Sequence, residues 1–99
     1  MTDKNMPEPP QPDIEEKDES VSGEIKEYDD DGNLTTVSNF KNGKLEGKFF
    51  TYNENTLLIQ DSVFADHKLN GESVFYDDDG RIAMKANFIN GKLDGPMTI

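Results

Sequence analysis

The chain has 99 residues, room for one small domain. Hydrophobic residues make up 32%, and 21 acids against 10 bases leave a formal net charge of −11. Such a surface repels phosphate backbones and bare anionic membranes, and the absence of cysteine excludes disulfide scaffolds, thiolate metal sites and cysteine nucleophiles.

Residues 1–20, MTDKNMPEPPQPDIEEKDES, carry all but one of the prolines and seven acids against two lysines, with Ile14 as the one bulky aliphatic residue. This segment buries too little apolar surface to offset ordering, so a disordered acidic tail is expected, serving solubility or docking. The opening MTDKNMPEPP holds no apolar run, so no signal peptide is expected. No stretch approaches the roughly 18 apolar residues of a membrane span. The expected location is cytoplasmic.

From residue 21 to 99 the texture changes to glycines, aromatics and β-branched residues in short runs between turn signals, which reads as strands rather than helices. The runs fall at 23–28, 34–40, 45–52, 57–64, 69–76, 81–88 and 93–99. Two kinds of turn separate them. YDDDG at 28–32, YNENT at 52–56 and YDDDG at 76–80 suit a longer loop closed by a left-handed residue. KNGK at 41–44, ADHK at 65–68 and INGK at 89–92 suit a two-residue hairpin turn.

These signals repeat every 24 residues. Gly23, Gly47, Gly71 and Gly95 are in step, as are Tyr28, Tyr52 and Tyr76, and Phe40, Phe64 and Phe88. FKNGKLEG (40–47), FADHKLNG (64–71) and FINGKLDG (88–95) are three spellings of one phrase. The units are 23–46, 47–70 and 71–94, with a partial unit at 95–99. Tight turns join antiparallel neighbours, so the expected fold is all-β: an antiparallel meander of about seven strands built from β-hairpin repeats. Alternation places Tyr28, Phe40, Phe50, Tyr52, Phe64, Val74, Tyr76 and Phe88 on one face, all at even positions, with Leu45, Leu69, Leu93, Phe49 and Phe75 as exceptions.

The pattern G-x-x-x-x-Y-x-x-x-G-x-L followed by F-x-N-G-K-L-x-G resembles the variant MORN repeat, a β-hairpin unit found in bacterial proteins of the YwqK-like antitoxin family. The resemblance covers about residues 23–99 and leaves out the tail. It implies protein binding, scaffolding at membranes in eukaryotic relatives, and antitoxin or immunity activity in the bacterial variant. The middle copy departs from it. Thr56 and His67 stand where the flanking copies have glycine, so both turns must be remade, with Asn55 the expected left-handed residue of the first.

Chemistry beyond binding has little support. Three consecutive acids at 29–31 and 77–79 do not match the alternating ligands of a calcium loop. A single histidine, no cysteine and no nucleophile elbow leave no expected catalytic, cofactor or metal residues. After residue 20, eight bases face fourteen acids, which argues against nucleic acid. The expected role is a non-enzymatic protein-interaction module, such as an antitoxin binding a basic toxin. Tyr28, Tyr52, Tyr76, Phe49, Phe75, Asp61 and His67 are the candidate contact residues. The alternative is an oligomerisation scaffold assembling through an apolar face or a sheet edge, the latter at Met97, Thr98 and Ile99, with Pro96 blunting the strand.

Overall fold

The computed structural model describes residues 14–99. Nine strands form one antiparallel sheet: β1 (Gly23–Tyr28), β2 (Leu34–Lys41), β3 (Lys44–Leu45), β4 (Gly47–Tyr52), β5 (Leu58–Ala65), β6 (Lys68–Leu69), β7 (Gly71–Tyr76), β8 (Ile82–Ile89) and β9 (Lys92–Leu93). Their spatial order is β1-β2-β4-β5-β7-β8-β9, with β3 and β6 hooked onto β2 and β5. The sequence therefore folds as the expected all-β hairpin meander.

Both turn types are built as their residues dictate. In the long loops the first side chain organises the rest. Asp29 Oδ1 accepts the N–H of Asp31 and of Asn33, both at 2.9 Å. Asn53 and Asp77 repeat this with Asn55 and Leu57, and with Asp79 and Arg81. The left-handed position of the middle loop falls to Thr56 (φ 60°), not to Asn55. Position decides this: Thr56 occupies the place of Gly32 and Gly80, and the Asn53 side chain already fixes Asn55. In the tight turns Asn42-Gly43, Asp66-His67 and Asn90-Gly91 all have the paired positive φ of a type I′ turn.

Two of the seven expected strands are each cut in two. Three steps along β2, from Phe40 to Val37, are matched by five along β3 and β4, from Leu45 to Phe50. The two extra residues are absorbed at Glu46 and Gly47, whose φ of 107° interrupts the ladder; Asn70 and Gly71 do the same one repeat later. The expected strand at 93–99 reduces to β9 and a single bridge between Lys85 and Thr98.

The inward face does not follow the expected even numbering on every strand. Across the sheet Ile25 pairs with Ser38, Phe49 with Ser62, and Ser73 with Ala86. An odd residue meets an even one at each step, so the inward parity alternates from strand to strand. Two features each reverse parity once per repeat: the two-residue tight turn, which pairs Phe40 with Leu45 and Phe64 with Leu69, and a register shift beside every long loop, at Glu27/Tyr28, Thr51/Tyr52 and Phe75/Tyr76, which inserts one residue. Phe40 and Phe64 face inward as expected. Phe49 and Phe75 do too, whereas Phe50 and Val74 lie on the opposite face.

The core is the inward face. Phe40, Leu45, Phe49, Phe64, Leu69, Ala86 and Phe88 form one buried cluster, and the Phe49 and Phe64 rings meet edge-on with centroids 5.3 Å apart. Each fully buried side chain of this size contributes about 1.5–3 kcal/mol. The buried polar groups are paired: Gln60 Nε2 donates to Ser62 Oγ, which bonds Ser73 Oγ at 2.9 Å.

The tail expected over 1–20 falls partly on residues 1–13, which lie outside the described residues. Residues 14–21 cross the tight-turn end of the sheet, with Ile14 and Val21 packed on the core cluster. Lys17 N–H donates to Gly43 O at 2.7 Å and Gly43 N–H to Val21 O at 2.8 Å. A Cβ on Gly43 would stand 2.2 Å from the Lys17 carbonyl oxygen, so this crossing requires glycine.

Candidate interaction surfaces

The long-loop end of the sheet gathers the three tyrosines and seven acids, Asp29, Asp30, Asp31, Glu54, Asp77, Asp78 and Asp79. Tyr28, Tyr52 and Tyr76 each end a strand and lead into a loop. Tyr28 is 59% exposed, and the other two are half-buried. Asp29 and Asp77 are committed to their own loops. The Asn33 N–H holds the Asp29 carboxyl below its ordinary range, and those of Arg81 and Asp79 do the same for Asp77. Asp30, Asp31, Glu54 and Asp78 remain directed to solvent, lining shallow clefts between adjacent loops. Arg81, ion-paired with Asp79 at 3.7 Å, is the base within these loops.

The outer face is a mixed surface. Across it run Lys26, Val37, Phe50, Asp61, Val74 and Lys85, one residue per strand. Asp61 is paired with Lys48 Nζ at 2.8 Å, and the same ammonium lies 5.5 Å from the Phe50 ring centroid. Such a half-exposed pair adds little stability.

The tight-turn end holds His67, and there the side chain is already engaged. Its Nδ1 accepts the Leu45 N–H at 3.0 Å, which leaves the proton on Nε2, and Nε2 donates to the Ile14 carbonyl. Nearby, Lys44 pairs with Asp66 at 3.3 Å, a hydrogen bond that raises the lysine's pKa.

The seven candidate residues therefore do not form one site. The three tyrosines share the acidic end. Phe49 is 2% exposed and belongs to the core, because the reversed parity of β4 turns it inward. Phe75 is half-buried on the same face, Asp61 lies on the other, and His67 sits at the far end. Sequence reasoning missed that Val21-Ser22-Gly23 is the same phrase as Leu45-Glu46-Gly47. Stepping the 24-residue period backward from Leu45 finds it.

The family model described as MORN repeat variant matches residues 22–42 and 69–90. These two matches support a MORN-repeat protein. No curated protein and no solved structure matches the chain. The matched segments span the β1–β2 hairpin with its Asp loop, and the β6–β8 stretch up to the third tight turn. MORN repeats are non-catalytic modules for protein and membrane interaction. Among the described residues no helix is long and apolar enough to cross a membrane.

Proposed function

We propose that this MORN-repeat chain is a non-enzymatic protein-binding module whose contact surface is its tyrosine-and-acid end. The observation that carries the proposal is the alignment of three Tyr-led loops along one end of a single sheet, with Asp30, Asp31, Glu54 and Asp78 left to solvent beside exposed Tyr28. Aromatic anchors with a charged rim suit a partner that is basic and partly apolar. Charge of this sign and size speeds encounter with such a partner and adds selectivity.

The finer form of the proposal is an antitoxin or immunity protein that occupies a basic toxin in the cytoplasm. The test is co-purification with the product of the adjacent gene. The wild-type chain should retain it, and the combined Asp30→Lys, Asp31→Lys and Asp78→Lys variant should release it while keeping its β-sheet circular dichroism. Equal retention by both would reject the acidic end as the contact surface. Absence of any toxic neighbour neutralised by the chain would reject the antitoxin form.

A further inference from the structure

β1 pairs with β2 alone and stands at the end of the strand order among the described residues. The alternation of its backbone groups is fixed by its neighbours. Asn39 offers its carbonyl to Glu46 N–H at 2.8 Å, away from β1, so its partner Glu24 turns its N–H and C=O to the free edge. Val37 pairs onward with Phe50, as Lys85 does with Thr98 through two bonds of 2.7 and 2.9 Å, so Lys26 opposite Val37 also presents both groups outward. Ile25 lies between them, half-buried, with its side chain on the core face. The described residues before β1 are drawn to the tight turns: Ser22 Oγ accepts from Asn42 N–H and Lys17 binds Gly43.

We propose that this edge is a dimer interface that takes β1 of a second copy, antiparallel and centred on Ile25. In that register Glu24 of each copy faces Lys26 of the other. Both residues present N–H and C=O groups that no strand among the described residues pairs, so the two-fold yields four backbone hydrogen bonds. The side chains are self-complementary: two Glu–Lys pairs cross the axis on the outer face, replacing a loose same-strand contact of 3.9 Å between Lys26 and Glu24. On the inner face Ile25 meets Ile25 of the second copy, extending the row Ile25, Ser38, Phe49, Ser62, Ser73, Ala86 into a second molecule. A register shifted by one residue would oppose Glu24 to Glu27 and leave Ile25 against Lys26, so charge selects the proposed one. The interface is isologous and closes on itself, which caps the edge instead of seeding a fibre.

Sedimentation equilibrium of the full chain tests this. The wild type should dimerise reversibly with rising concentration. Lys26→Glu places like charges opposite each other twice and should weaken dimerisation about tenfold or more. The exchange variant Glu24→Lys/Lys26→Glu restores both pairs and should restore the dimer. Residues 24 and 26 are exposed, so circular dichroism should be unchanged throughout. A strictly monomeric wild type, a dimer indifferent to Lys26→Glu, or failure of the exchange variant to rescue would each overturn the proposal.

Discussion

His67 Nδ1 accepts the N–H of Leu45 at 3.0 Å, and the same ring donates through Nε2 to the carbonyl of Ile14. The residue that breaks the Asn-Gly pattern thus ties one repeat to the preceding one and holds the N-terminal crossing in place. Its backbone N–H also bonds Leu45 O at 2.9 Å, as Gly43 bonds Val21 and Gly91 bonds Leu69. Beside each of these bonds a side chain at the next position, Ser22, Glu46 or Asn70, accepts from the residue before the donor. Two hydrogen bonds therefore link every tight turn to the residues one period earlier, and His67 adds a third, to Leu45, and a further one to Ile14 in the N-terminal crossing.

Replacing His67 with glycine should destabilise the fold. Two side-chain bonds of about 1 kcal/mol each are lost, while relief of the left-handed backbone at φ 69° returns about 1 kcal/mol. A net loss of about 1 kcal/mol is expected in denaturant titration, with faster amide exchange at Leu45.

Thr56 gives the opposite expectation. A β-branched residue at φ 60° is strained, and its hydroxyl bonds only the adjacent Asn55 carbonyl at an exposed site. Thr56→Gly should stabilise the protein by about 1 kcal/mol, less the entropy that glycine adds to the unfolded chain. A drop in stability would mean that the hydroxyl does more than its geometry indicates.

Acid should open the outer two long loops and spare the middle one. Asp29 and Asp77 have lowered pKa values because they accept backbone N–H groups. Their contribution is present above the ordinary aspartate value of 3.8 and is lost as pH falls through the lower folded value. Asn53 makes the same bonds without titrating. Amide shifts of Asn33 and Arg81 should move in this window, with Leu57 as the still control.

The alternating parity is testable with two neighbouring rings. Phe49→Ala should cost about 3–5 kcal/mol, because it empties a site in the core cluster. Phe50→Ala, on the half-exposed outer face, should cost about 1 kcal/mol. Equal losses would mean that both rings share one environment.

Hairpins, turns and period were legible because each rests on local chemistry. Asn-Gly sets its own backbone, and an aspartate closes its own loop. The even-face assignment failed on β1, β4 and β7: a two-residue turn pairs an odd residue with an even one, and the one-residue bulge that reverses parity again beside each long loop leaves no mark in composition. The His67 contacts were hidden because both partners, Leu45 and Ile14, offer backbone groups that every residue possesses. The acidic end was partly legible: Tyr and Asp were in step, but the split between committed Asp29 and solvent-facing Asp30 needed the loop geometry.

Amide hydrogen exchange of the chain, alone and with the neighbour-encoded partner, tests the central claim most directly. Binding at the tyrosine-and-acid end should slow exchange in the three segments 28–33, 52–57 and 76–81 together. Slowing confined to the tight turns at 41–44 and 65–68, or to the outer face around Phe50 and Asp61, would contradict it.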